Sequence, residues 1–206
     1  MKEPEYDAVS KAKRQAESGN PDGAVKTLES YLEKDPANTT ARIQLARTLV
    51  YDKKDMEGGI AQMEMVLKQE PDNIDAMKAL VTVQIKHKRY NKRTAEIYEK
   101  LIEVCPEAVV FNAYAIFLRL QKADFKRSAE YYEKAIALDP KKPEYHQNYS
   151  VLLLNDLRDY EKAKRELEIL LKLDPENEKA RKNYDLLMKK KFDSNGNVKK
   201  KSFLRR

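Results

Sequence analysis

Cysteine is nearly missing from this sequence. Cys105 stands alone among 206 residues, so no intrachain disulfide can form, and a reducing compartment is the expected home. Tryptophan is absent and glycine is scarce, at 5. A turn-rich β fold needs more glycine than that, and the abundance of Ala, Leu, Lys and Glu points to helices instead. Histidine occurs only at His87 and His146, too few for a histidine-based metal cage. The longest apolar run, Ala108 to Leu118, is broken by Asn112 and is too short to cross a bilayer. The opening MKEPEYDA has no apolar signal core. A soluble, cytoplasmic protein is expected.

Charge of one sign is also missing from most of the chain. The formal net charge is +7. Residues 189–206 hold eight bases (Lys189, Lys190, Lys191, Lys199, Lys200, Lys201, Arg205 and Arg206) against the single acid Asp193, which accounts for all of it. Residues 1–188 hold 33 bases and 33 acids. The basic isoelectric point therefore belongs to a tail and says nothing about the body.

What is present is a period. Pro36, Pro71, Pro106, Pro140 and Pro175 each close a similar stretch, at spacings of 35, 35, 34 and 35 residues. A fixed interval of this size marks stacked supersecondary units. Proline stops a helix because it lacks an N–H and restricts the residue before it. Midway between prolines stand Asn20, Asp55, Asn91, Asp124 and Asp159, side chains that accept from an otherwise unpaired N–H at a helix start. Each unit reads as helix, turn, helix, turn.

The segment Ser128-Ala-Glu-Tyr-Tyr-Glu-Lys-Ala-Ile-Ala-Leu-Asp-Pro140 resembles the second helix of a tetratricopeptide repeat. The small residue that opens that helix in the family matches Ala24, Gly59, Thr94, Ser128 and Ala163. The large residue four places on matches Leu28, Met63, Tyr98, Tyr132 and Leu167. On the first helix the family's Leu matches Leu45 and Leu80, with Ala115, Tyr149 and Tyr184 as substitutes. Its small neighbour is kept at Ala12, Ala46 and Ser150 and lost at Val81, Ile116 and Asp185. Repeats two, three and five carry an extra residue near the inter-helix turn. The resemblance implies an all-α, right-handed α-solenoid of stacked antiparallel helix pairs. It would have five repeats, over about 4–36, 39–71, 74–106, 108–140 and 143–175. A capping helix over about 177–191 would complete a domain of residues 1–188, followed by a basic, flexible C-terminal tail at 192–206.

Catalytic chemistry is not legible. Gly58-Gly59 is better explained by helix packing than as a phosphate loop, and no nucleophile, base and acid can be assembled. Asp193-Ser-Asn-Gly-Asn is only faintly like a calcium loop: its glycine comes early and Leu204 stands where a bidentate Glu should. No enzyme, cofactor or metal is expected.

The resemblance implies a partner-binding groove lined by the first helix of each pair. The family's carboxylate clamp for heat-shock chaperone tails is rejected. Asn148 and Lys179 match it, but Ala113, Phe117 and Asn183 do not, and Val9, Lys13, Gln44, Asp75 and Ala79 fit worse. The helix around residues 109–120 is apolar nearly all round. Val110, Ala113, Tyr114, Phe117 and Leu120, then Asn148, Val151 and Leu154, are the expected groove residues, with Ile43, Val50 and Ile85 continuing more sparsely. On this reading Phe117→Glu or Tyr114→Ala abolishes partner capture and leaves the helices intact.

Lys86, Lys88, Arg89, Lys92 and Arg93, with Lys122, Lys126 and Arg127, crowd two successive turns and form a candidate anion-binding ridge. The tail, with Phe192 and Phe203 among its lysines, suits an anionic membrane or a phosphate backbone. The leading expectation is a non-catalytic adaptor that binds a protein or peptide segment. The alternatives are a self-assembling scaffold, in which a neighbour's weakly apolar first helix (Tyr6, Val9, Ala12, Ala16) fills the groove, and nucleic-acid or membrane association through ridge and tail. Pentatricopeptide proteins share the period and read RNA, but the Leu-Asp-Pro closings are of the tetratricopeptide type.

Overall fold

The computed structural model describes residues 4–86, 92–121 and 124–199. Eleven α-helices span the described residues: α1 Pro4–Glu17, α2 Pro21–Lys34, α3 Thr39–Tyr51, α4 Met56–Gln69, α5 Ile74–Lys86, α6 Lys92–Val104, α7 Ala108–Leu120, α8 Phe125–Leu138, α9 Pro143–Leu152, α10 Tyr160–Leu173 and α11 Glu178–Lys191. A π-helical turn, Leu153–Leu157, extends α9. The architecture is an all-α solenoid of helix pairs, with α11 as the unpaired last helix. The chain divides into two compact units, residues 1–105 and 106–206.

Local chemistry sets the helix starts. Asn20, Asp55, Asp124 and Asp159 each accept from the backbone N–H three residues on, at 2.9–3.0 Å. Asn38, Asn73 and Asn177 do the same for α3, α5 and α11. Each such cap contributes about 1 kcal/mol. Asn91, the fifth expected cap, lies outside the described residues.

The repeat signature is a packing signature. Ala24, Thr94, Ser128 and Ala163 are fully buried, as are Leu28, Met63 and Leu167, with Tyr98 and Tyr132 close to it. Gly59 marks the tightest approach. A Cβ there would lie 2.3 Å from Val50 Cγ2 and 3.0 Å from the Ala46 carbonyl oxygen, so α3 and α4 tolerate no side chain at that point.

Left-handed residues close the inter-helix turns of repeats one, two and five. Lys54 (φ 60°) and Arg158 (φ 57°) are left-handed, a conformation that costs an L-residue about 1–2 kcal/mol. Gly19 (φ 81°) serves the corresponding turn of repeat one without that cost. Arg158 is exposed, so Arg158→Gly is expected to stabilise the second unit by about 1 kcal/mol. Urea unfolding checks this; an unchanged or lowered midpoint would show that no strain is relieved there.

Within the first unit, Ala12, Ala24, Leu28, Leu32, Ala41 and Leu45 form a continuous core between α1, α2 and α3. Within the second, Tyr132, Tyr149, Leu152, Leu153, Leu167, Leu170 and Leu187 do so, and Phe192 joins them. Phe192 lies just past the end of α11 in the segment expected to be flexible, yet it is 3% exposed. Residues 192–199 fold back as a strap. Phe192 pairs antiparallel with Val198, Asp193 N–H donates to Asn197 O at 2.9 Å, and Lys199 N–H donates to Lys191 O at 2.7 Å. Asp193 Oδ1 accepts from the N–H groups of Asn195 and Asn197, and Gly196 is left-handed (φ 80°). The Asp-Ser-Asn-Gly-Asn stretch is thus a tight reversal in which Gly196 takes the left-handed position after the turn. Residues 200–206 lie outside the described residues.

Candidate interaction surfaces

The expected groove residues part into two groups. Val110, Tyr114 and Phe117 are at most 3% exposed. Tyr114 packs edge-on against Tyr131 at 4.8 Å between ring centres and stacks on Phe117 at 6.0 Å, with the Arg127 guanidinium 5.4 Å from its ring centre. These three side chains are core, because a helix with apolar residues all round offers neighbours more than one face to cover. Phe117→Glu and Tyr114→Ala would therefore damage packing rather than report on a partner. Ala113 is half-buried. Asn148 donates to Asn112 Oδ1 at 3.2 Å, so it ties α9 to α7. Leu120 is exposed at 43%, and Val151 and Leu154 are half-buried. Ile43 and Val50, expected to extend the stripe, are buried as well, and the side chain of Ile85 lies outside the described residues.

Each unit has a furrow between first helices of successive pairs. In the first unit Arg47, Tyr51, Asp75, Lys78, Ala79 and Thr82, from α3 and α5, line about 330 Å³. That surface is polar and of mixed sign. In the second unit Leu154, Asn155, Tyr160, Asn183, Leu186, Leu187, Lys190 and Lys191 line about 170 Å³.

The second furrow is built by irregular backbone. The π-helical turn carries Leu154 and Asn155, and Asp156 on it receives Arg119 Nε of α7 at 2.5 Å. Arg158 reverses the chain, Asp159 caps α10, and Tyr160, the first residue of α10, is thereby delivered to the furrow. Lys191 holds its ammonium 4.7 Å from the Tyr160 ring centre, a cation–π contact. Leu186 stands 48% exposed beside it. Sequence reasoning found Leu154 and counted Lys190 and Lys191 with the basic C-terminal run, but missed Leu186 and Tyr160 and the placement of the lysines beside them. The signal was present: Leu186 recurs at the spacing of Val151 and sits on a helix whose other exposed residues are charged.

Tyrosines pin the pairs together around this site. Tyr149 donates to Glu133 Oε1 at 2.6 Å and Tyr184 to Glu168 Oε1 at 3.0 Å. Burial first, then these carboxylates, push both phenols above their usual range. The Tyr149 hydroxyl, and then Lys162, hold Glu133 below the usual carboxylate range despite its partial burial. His146 is 2% exposed and sits between Glu166 Oε2 at 2.7 Å and the Pro140 carbonyl oxygen at 2.9 Å. It serves packing between α9 and α10.

The candidate ridge carries less free charge than its sequence implies. Arg93 pairs with Glu64 at 3.2 Å and lies 3.9 Å from Glu96, and Lys92 lies 3.8 Å from Glu96. Arg127 stacks on Tyr114 and Tyr131, and Lys126 is exposed. Lys88, Arg89 and Lys122, and the side chain of Lys86, lie outside the described residues, as does His87. No described helix is long and apolar enough to cross a membrane.

A family model of the tetratricopeptide repeat matches residues 117–142. No curated protein sequence matches the chain. Among solved structures it is similar to MamA 41-end from Desulfovibrio magneticus RS-1, at TM-score 0.76 and 19% identity, over 86% of this chain and 99% of that one. A further MamA structure gives TM-score 0.70 and 18% identity, over 82% and 96%. YrrB, described as a TPR protein with an unusual peptide-binding site, gives TM-score 0.73 and 17% identity, over 86% and 90%. At these identities the likeness is one of fold. With the matched repeat it establishes the tetratricopeptide resemblance and the helical-solenoid architecture.

Proposed function

We propose that this tetratricopeptide-repeat fold is a non-catalytic interaction scaffold that holds a segment of a protein partner against its second unit, in the furrow between the π-helical turn and α11. The fold class implies protein or peptide partners. The observation that carries the choice of surface is the apolar side chains that line this recess without closing it: Leu186, 48% exposed, and Leu154, half-buried, with the Tyr160 ring. Other apolar residues are exposed as well, Met65, Val109 and Leu138 among them, but none of these lines the furrow. An exposed leucine at the wall of an apolar recess fits a docking anchor better than a solvated surface does. The first unit's furrow, polar and of mixed sign, offers no comparable apolar floor.

The test is capture of interacting proteins by the immobilised full chain, with Leu186→Glu set against Leu138→Glu. Leu138 is 57% exposed on α8 and outside the furrow. Leu186→Glu is expected to weaken capture about tenfold or more, which corresponds to about 1.4 kcal/mol, while Leu138→Glu leaves it unchanged. Equal capture by both variants would rule out the furrow as the docking surface.

A further inference from the structure

The furrow's chemistry narrows the partner, provided the docking assignment above holds. We propose that it receives an acidic protein segment, one whose leucine- or phenylalanine-sized side chains enter the recess while flanking Asp or Glu residues meet the lysines at its rim.

The floor is apolar: Leu154, Leu186 and Leu187, with the Tyr160 ring. Its volume of about 170 Å³ is several times the ~30 Å³ share of a liquid water, so one large side chain is a fitting occupant. None of the lining residues is an acid. The cations are placed rather than merely nearby. Lys191 is held against the Tyr160 ring, and Lys190 lines the recess from the exposed side of α11. The strap brings a further lysine to the same helix end, since Lys199 Nζ donates to the Lys189 carbonyl at 2.8 Å.

Lysines in the last turn of a helix are ordinarily explained by the macrodipole, and here the amount of charge decides between the two readings. A helix C-terminus carries about half a negative charge. Residues 189–199 supply four lysines, and the single acid there, Asp193, spends Oδ1 on two backbone N–H groups of the strap turn. The excess of about three positive charges exceeds what helix capping needs and is complementary to an acidic ligand. A flat bilayer would meet the lysines but not the recessed floor, where Leu187 is 4% exposed. A nucleic acid would find a single aromatic platform, already covered by Lys191.

Fluorescence anisotropy of the full chain tests this with three labelled peptides: repeats of Glu-Leu-Asp-Phe, the same with Lys in place of both acids, and repeats of Glu-Gly-Asp-Ser. The first is expected to bind about tenfold or more tightly than either of the others and to weaken as salt rises. Lys190→Glu and Leu186→Glu should each reduce its binding about tenfold, and Lys141→Glu, an exposed lysine that does not line the furrow, should not. Circular dichroism confirms that the variants stay folded. Equal binding of the basic peptide overturns the charge assignment, and equal binding of Glu-Gly-Asp-Ser overturns the anchor. Tighter binding to phosphatidylserine vesicles or to an oligothymidylate, lost in Lys190→Glu but kept in Leu186→Glu, would replace the acidic segment with a lipid or nucleic-acid ligand. Partner capture that is sensitive to Leu186→Glu, without preference for the acidic peptide, sinks this inference and leaves the docking surface standing; insensitivity in both assays removes both.

Discussion

His146→Ala is expected to cost the second unit about 3 kcal/mol, the scale for removing one member of a buried charged pair. The imidazole is 2% exposed, and both its nitrogens face groups that only accept, the Glu166 carboxylate and the Pro140 carbonyl. A neutral ring has one N–H and can serve one of them; the imidazolium serves both. Truncation leaves the Glu166 carboxylate, whose side chain is 17% exposed, without its cation, and leaves the carbonyl at the repeat-four turn unsatisfied. Stability in a repeat protein is carried by each repeat and its neighbours. The loss should therefore appear as faster amide hydrogen exchange in α9 and α10, with α1–α4 unchanged. Exchange in α9 as slow as in the wild type would show the histidine to be an incidental passenger.

The same geometry sets a pH dependence. Burial alone pulls the His146 pKa down, but the hydrogen bonds to Glu166 and to the Pro140 carbonyl, together with the Glu166 charge, outweigh it and hold the folded-state value above the ordinary 6.5. A group whose pKa is raised by folding contributes its stabilisation fully below the unfolded value and loses it as pH rises through the folded value. The urea midpoint of the wild type should accordingly fall as pH rises above the ordinary histidine value of about 6.5, and that of His146→Ala should stay flatter over the same range. Parallel curves would mean that the ring is neutral throughout.

The architecture was legible in the sequence because packing repeats at a fixed interval. The small residues at Ala24, Thr94, Ser128 and Ala163 sit where helices touch, and their large partners four residues on fill the core. Caps such as Asp55 and Asp159 are local chemistry, readable one residue at a time. The binding face was less legible. Periodicity assigns a buried side only when the other side is polar, and α7 has no polar side, so nothing in Val110, Tyr114 or Phe117 distinguishes core from groove. Leu154 was identified, but the furrow around it depends on the π-helical turn and on Arg158, backbone features with no sequence signature of their own. The lysines at the end of α11 were placed in the capping helix, but their charge was grouped with the tail, and Phe192 was assigned to a flexible segment. Its burial depends on the reversal at Asn195-Gly196, which folds Val198 back beside it.

Phe192→Ala should therefore release the strap as a whole. The ring is 3% exposed within the core of the second unit, and Lys164 Nζ lies 5.1 Å from its centre. Truncating a buried phenylalanine costs about 3–5 kcal/mol. The lower end applies here, because a chain segment at the edge of a domain can relax into the vacated space. What remains to hold residues 192–199 is the partly buried Val198 side chain, one antiparallel bridge with its two backbone hydrogen bonds, and the turn, and an isolated two-stranded hairpin is marginal in water. Detachment also frees Lys199 from the Lys189 carbonyl, so the last turn of α11 should fray. Limited trypsin digestion is expected to cut after Lys191 well before the body is attacked, whereas Val198→Ala, a smaller truncation, leaves that site protected. Leu186 lies before the fraying turn and Lys190 keeps its charge, so Phe192→Ala should weaken binding of the acidic peptide less than Lys190→Glu does. Protection at Lys191 that survives Phe192→Ala would mean that backbone pairing, rather than the buried ring, anchors the strap.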